Sequence, residues 1–149
     1  YSSQDETKKS WEYVVRFSGW KMNMTDIMAA IGIEQLNKLD NMNTRRDEIV
    51  SRYNKKLGIN NKGNHLYPIR VNNRVEFIDK MKQEGIQCSV HFMPLHLMPP
   101  YQYSQRFDLH ITEELGKQVV SLPLYPLLKD EEVDYVCEKV LQTNALILE

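Results

Sequence analysis

The chain has 149 residues, a length that suits a single domain. Hydrophobic residues make up 42% and charged residues 26%, which allows a packed core and argues against global disorder. The formal net charge is only -1, so the composition does not support a broad nucleic-acid-binding or anionic-membrane surface. No apolar run approaches the roughly 20 residues of a membrane span, and no signal peptide is visible.

The two cysteines, Cys88 and Cys137, lie far apart and lack a metal-type spacing. We interpret them as reduced core thiols, which fits a cytoplasmic location. The polar opening "YSSQDETKKSWEY" begins with Tyr1 instead of methionine. We therefore expect residues 1–18 to be an irregular remnant or linker, and the chain to be a piece of a longer protein.

A long helical segment is predicted from about residue 25. The Thr25 hydroxyl can accept from a first-turn amide, and Asp26 places negative charge where the helix dipole favours it. The polar stretch 37–43 predicts a kink or break, and Gly58 is suited to end the helix. Apolar residues recur mostly at helical spacing along the segment, at Ile27, Ile31, Leu36, Leu39, Met42, Ile49, Tyr53 and Leu57.

Shorter elements alternate over the remainder of the chain. Strands are predicted at residues 65–71, 86–90 and 119–126. Helices are predicted at residues 74–85, 112–118 and 129–144. Pro68 places the first strand at an edge or a bulge, and Asp130 is the expected N-cap of the last helix. This order predicts an α/β or α+β fold: a small three- or four-stranded sheet with helices on one face, preceded by the long helical segment.

Two polar groupings are candidate binding residues. Lys21, Asn23 and Thr25 alternate before the long helix, so in an extended segment they share one face. An ammonium, an amide and a hydroxyl beside a helix N-terminus can together bind a phosphate. The same three residue types are also common on an ordinary solvent-exposed surface.

His91 and His96 lie on the proline-containing stretch "HFMPLHLMPPYQY". A metal site would need further ligands at a suitable spacing, and we predict none. The histidines either satisfy backbone groups or face a polar ligand. A loop stiffened by proline holds such groups at low entropic cost.

Three stretches together resemble the DegT/DnrJ/EryC1/StrS family of sugar aminotransferases. They occur in the family's order and approximate spacing over residues 16–142: "GWKMNMTDIMAAIGIEQLNKLD", "GIQCSVHFMPLHLMPPYQ" and "SLPLYPLLKDEEVDYVCEKV". The resemblance implies that residues 19–149 are the C-terminal small domain of a fold-type I enzyme that depends on pyridoxal 5′-phosphate (PLP). The parent enzyme would transfer an amino group, usually from glutamate, to a keto-sugar nucleotide.

The same resemblance implies site residues. The segment equivalent to 19–25 would reach the PLP phosphate in the partner subunit of a homodimer, so Lys21 and Asn23 are candidate cofactor-binding residues. Asn23 stands where many members have arginine. His91 and His96 become candidates for contact with the sugar or its phosphates. No nucleic-acid or membrane partner is expected.

The family's Schiff-base lysine belongs to its large N-terminal domain, and no stretch of this chain matches that motif. We therefore predict no catalytic residue here and no activity of the chain alone. Two alternatives stay open: a PLP-dependent sugar dehydratase relative, or a stand-alone, non-catalytic binding or regulatory module. If a large domain is missing, an apolar surface involving Met22, Met24, Met28 and residues 29–32 should be exposed and promote self-association.

Incubation of the chain with PLP is expected to produce no absorbance band of a covalent lysine adduct, because the family's anchoring lysine has no counterpart here. The absorbance spectrum after removal of free PLP checks this. A stoichiometric visible band that disappears on substitution of one lysine would contradict the prediction.

Overall fold

The computed structural model describes residues 22–101 and 108–147. Within them, the elements in chain order are α1 (Asp26–Leu57), β1 (Tyr67–Arg70), α2 (Arg74–Gln83), the 3-10 turns Leu95–Leu97 and Pro99–Tyr101, α3 (His110–Gln118), β2 (Val119–Leu122) and α4 (Asp130–Gln142). The chain divides into two compact units, one ending at Asn37 and one beginning at Lys38. The predicted boundary between residues 18 and 19 lies outside the described residues. No helix in the described ranges combines the length and apolar character that membrane crossing requires.

The first helix is continuous over 32 residues, about 48 Å at ~1.5 Å per residue. The break expected at 37–43 is absent, and the alternative expectation of a kink there stays a prediction. That stretch contains neither glycine nor proline, and the Thr44 hydroxyl even bonds back to the Asp40 carbonyl at 2.9 Å without ending the helix. Both predicted ends are confirmed: the Thr25 hydroxyl accepts from the Met28 amide at 3.4 Å, and Gly58 takes a φ of 69°.

Apolar spacing predicted the helix correctly but not which residues are buried. Only the C-terminal part of α1 contributes to the core, through Ile49, Val50, Tyr53 and Leu57. The N-terminal part is apolar and exposed; Ile27 and Leu36, for example, are 75% and 68% exposed. Met22, Met24 and Met28 are also exposed, so the apolar surface expected there is present.

The sheet consists of β1 and β2, paired antiparallel with Tyr67 opposite Leu122 and Pro68 opposite Ser121. Pro68 lacks an amide hydrogen. The backbone N–H and C=O of Ser121 point away from Pro68 and bond to the C=O and N–H of Ser89, at 2.7 and 3.1 Å. The predicted mixed helix-and-sheet class is confirmed.

The number of strands is smaller than expected. Instead of three or four strands, the described residues form two strands and two isolated bridges, Ser89 with Ser121 and Val71 with Leu146. The predicted strand 86–90 is reduced to the bridge at Ser89, because the proline-containing stretch follows directly and cannot extend a ladder.

The hydrophobic core lies within the unit that begins at Lys38 and contains side chains of α1, β1, α2, β2 and α4. The rings of Tyr53 and Tyr67 lie 4.7 Å apart at its centre. Their hydroxyls donate to the Pro123 carbonyl at 3.0 Å and to Asn54 Oδ1 at 2.9 Å. Burial raises the pKa of both phenols, so the rings stay neutral, and their polar ends are satisfied as a buried tyrosine requires.

Both cysteines are free, as predicted. Cys137 belongs to the core, and Cys88 packs against it. Burial raises the pKa of each thiol to about 11. Both therefore remain protonated at neutral pH.

An ion-pair network joins α1 to the start of α4. The guanidinium of Arg52 bonds to both carboxylate oxygens of Asp134, at 2.5 and 2.8 Å. Arg45 and Arg52 each reach Asp130, at 2.7 and 3.0 Å.

The prediction that Asp130 caps α4 was wrong by one residue. The cap is Lys129, whose amide donates to Glu132 Oε2 at 2.8 Å, while the Asp130 carboxylate is engaged by the arginines.

We predict acid-sensitive stability from this network. Arg52 holds the pKa of the Asp134 carboxyl well below its usual range. Since the folded pKa is lower than the unfolded value of about 3.9, the stabilisation is present at neutral pH and is lost as the pH falls below about 5. Asp134→Asn should lower the melting temperature at pH 7 and reduce its fall between pH 7 and pH 3, measured by circular dichroism. Asp79, which is exposed and has no ion pair among the described residues, supplies the control Asp79→Asn. Equal pH dependence of Asp134→Asn and wild type would refute the assignment.

Candidate functional site

The segment before α1 carries the predicted phosphate ligands. Lys21 lies outside the described residues. Asn23 is exposed, and its amide has no hydrogen-bond partner within 22–101 and 108–147. The Thr25 hydroxyl oxygen accepts from the Met28 amide as the helix cap, and its own O–H can still donate. An exposed amide beside the N-terminus of a long helix matches a phosphate in donor chemistry, although the Met28 amide is already bonded to Thr25 and Asp26 adds an opposing charge to the same turn.

His91 is held by strand β2. Its Nδ1 lies 3.0 Å from the hydroxyl oxygen of Ser121, which is buried. Because Ser121 is bonded through both backbone groups to Ser89, two residues before His91, the strand fixes the hydroxyl that the ring contacts. The Phe92 ring stands edge-on to the imidazole, with centroids 5.0 Å apart. His91 Nε2 has no hydrogen-bond partner in the part of the chain that the structure describes.

His96 is held by helix α3. It lies in the turn Leu95–Leu97, and its Nε2 is 3.0 Å from Glu113 Oε1. The His96 side chain is only 15% exposed. An ionised carboxylate accepts hydrogen bonds and donates none, so the proton of this bond belongs to Nε2. Of the alternatives left open by the sequence, satisfaction by backbone groups is wrong: both rings bond to side chains.

The loop and α3 approach closely where no side chain intervenes. A Cβ atom on Gly116 would lie 2.6 and 2.8 Å from ring carbons of Pro94, too close for any real contact. Gly116 and Glu113 are three residues apart and therefore share one face of α3. The Arg74 guanidinium donates to the Gly116 carbonyl. Glu113, Gly116 and Ser121 were not among the residues predicted from the sequence, although a glycine inside a helical pattern is a sign of close packing.

The outer side of this loop is apolar. Five of its large side chains are exposed: Phe92, Met93, Leu95, Leu97 and Tyr101. Within the described ranges, no three His, Cys, Asp or Glu residues are grouped as a metal ion would require. The chemistry available here is thus two oriented imidazoles on an apolar, solvent-facing loop.

The sequence matches the model of the DegT/DnrJ/EryC1/StrS aminotransferase family over residues 2–141, and the chain belongs to that family. The family depends on PLP. Solved structures of aminotransferases share this fold over the part of them that the chain matches, 35% in one case and 42% in another.

Named relatives fit this assignment. The spore coat polysaccharide biosynthesis protein SpsC of Bacillus subtilis is 38% identical over 153 residues, covering 88% of this chain and 39% of that protein. GDP-perosamine synthase of Escherichia coli O157:H7 is 30% identical and covers 89% and 39%. The solved structure of Helicobacter pylori PseC, an aminotransferase involved in pseudoaminic acid biosynthesis, is 25% identical with a TM-score of 0.75 and covers 91% and 42%. The chain therefore spans about two fifths of the length of its relatives.

Gly116→Ala tests the contact that places the loop. Alanine is favoured over glycine inside a helix by about 1 kcal/mol. Overlap with the rigid Pro94 ring opposes this gain, since overpacking typically costs about 1–3 kcal/mol. We expect a lower urea midpoint and a shifted NMR resonance of His96. The control is Gly63→Ala, where the nearest atom lies 3.8 Å from the added carbon. A more stable Gly116→Ala variant with an unchanged His96 resonance would show that the contact does not place the loop.

Proposed function

We propose that this chain is the C-terminal small domain of a PLP-dependent nucleotide-sugar aminotransferase, with glutamate as the usual amino donor. The family match over residues 2–141 is the observation that carries the proposal. It is supported by relatives whose names refer to GDP-perosamine and to polysaccharide biosynthesis. PLP, when bound, supplies the electron sink for amino transfer, and the protein supplies orientation and electrostatics. The parent enzyme is proposed to be cytoplasmic.

The proposed role of Asn23, with Lys21, is to donate to the PLP phosphate in the partner subunit. The exposed Asn23 amide supports this role, since it is available to a group outside this chain. The neighbouring helix N-terminus adds its positive dipole end. We propose that the working enzyme is a homodimer in which this segment crosses to the other subunit. The exposed apolar side chains of Met22, Met24 and Ile27 support a contact surface there.

The proposed role of His91 and His96 is to contact the sugar nucleotide. Each ring has one nitrogen fixed by a protein side chain, at 3.0 Å in both cases. Fixing one nitrogen sets the direction of the other, so the loop offers preoriented polar groups at little entropic cost. The exposed loop side chains, Phe92 and Leu95 among them, would exclude water once the substrate and the large domain cover them.

The test uses the enzyme extended to include its PLP domain, supplied with glutamate and UDP- or GDP-linked keto-sugars. We expect equimolar 2-oxoglutarate and amino sugar, and none from the present chain alone. Asn23→Ala should raise the PLP concentration needed for half-maximal activity about tenfold, the effect of losing roughly 1.4 kcal/mol. The exposed Asn37→Ala is the control. Absence of amino transfer with every keto-sugar would refute the proposed activity.

A mixed dimer tests the role across subunits. One subunit carries Asn23→Ala and the other lacks the PLP lysine. If Asn23 acts in the partner's site, one site of each mixed dimer holds both defects and the other holds neither, so a fully competent site remains. If Asn23 acts within its own subunit, every site has one defect. Activity near half of wild type supports the proposal, and activity no higher than that of the variants alone refutes it.

A further inference from the structure

We infer that Glu113 is the positioning residue of His96, fixing the ring through Nε2 so that Nδ1 accepts a hydrogen bond from a hydroxyl of the sugar. This inference rests on the proposed function and refines it. It assigns His96 to the sugar and not to the nucleotide phosphates.

The geometry separates the placement of the loop from the orientation of the ring. The backbone around His96 is held by the turn bond from the Leu97 amide to the Pro94 carbonyl, at 3.0 Å, and by the Pro94–Gly116 contact. Neither of these touches the imidazole. Among the described residues, Glu113 alone bonds to the ring, at 3.0 Å. Loss of the Glu113 carboxylate should therefore free the ring while the loop stays in place.

The chemistry of the partner determines what the other nitrogen can do. A carboxylate only accepts, so Nε2 of His96 carries the proton, and in the neutral ring Nδ1 is an acceptor. An acceptor matches a hydroxyl group, which can donate, and does not match a phosphate oxygen. His91 differs, because the Ser121 hydroxyl can donate or accept and so leaves its tautomer open.

The position of Glu113 on α3 supports a specific role. Its amide bonds to the Leu109 carbonyl at 3.0 Å in the first helical turn, so its backbone is fixed. The adjacent Glu114 is exposed and makes no hydrogen bond or ion pair within the described residues. Substitution of Glu113, which bonds to His96, can therefore be compared with the same substitution of its neighbour Glu114, which does not.

The first experiment uses nitrogen-15 NMR of the 149-residue chain, with the exposed His65 as internal reference. Wild type should show a protonated Nε2 on His96 whose hydrogen is protected from exchange. Glu113→Ala should lose that signal, Glu113→Gln should retain it because the amide oxygen still accepts, and Glu114→Ala should match wild type. An unchanged signal in Glu113→Ala, or no such signal in wild type, overturns the inference.

The second experiment measures kinetics of the enzyme extended by its PLP domain. Glu113→Ala should raise KM for the keto-sugar nucleotide about tenfold while kcat changes less than about threefold, and Glu113→Gln should restore KM. Inhibition by the free nucleoside diphosphate should be unchanged in Glu113→Ala, since that inhibitor retains its ribose but lacks the keto-sugar.

The outcomes distinguish the two proposals. Weaker inhibition by the nucleoside diphosphate, or a KM that His96→Ala leaves unchanged, overturns the assignment of His96 to the sugar while amino transfer itself stands. No amino transfer by the wild-type enzyme overturns the proposed function, and with it the substrate role inferred here.

Discussion

Pro68 has no amide hydrogen, and the register of the two-stranded sheet places it opposite Ser121. In this pair the backbone N–H and C=O of Ser121 point away from Pro68 and bond to Ser89, so the absent proline hydrogen leaves no Ser121 group without a partner. This pairing brings the chain that follows Ser89 alongside β2, where the buried Ser121 hydroxyl meets His91. One backbone constraint thus begins the histidine loop, and the contact of Pro94 with Gly116 holds it farther along.

The first helix combines two kinds of surface in one continuous element. Its C-terminal part is buried among β1, α2, β2 and α4, while its N-terminal part presents apolar side chains to solvent. Periodicity alone does not distinguish these cases, because a helix face that packs within the domain and one that meets another protein surface have the same spacing.

Much of the fold could be predicted from local patterns. Capping at Thr25, the glycine stop at Gly58 and the edge position of Pro68 each depend on the chemistry of one residue, and all three are as expected. The errors at the start of α4 and at the histidines concern long-range contacts. Asp130 has a good capping side chain, but Arg45 and Arg52, far away in sequence, engage it. The partners of the histidines, Ser121 and Glu113, likewise lie 30 and 17 residues away, and no spacing rule relates them.

Both native cysteines have thiol pKa values raised to about 11 by burial, and Cys137 is part of the core. Very little thiolate is present at neutral pH, and thiolate is the form that reacts with alkylating reagents. A cysteine introduced at an exposed position such as Asn23 would therefore be labelled in strong preference to the natural pair. The domain accepts a site-specific fluorophore or spin label without prior removal of its own thiols.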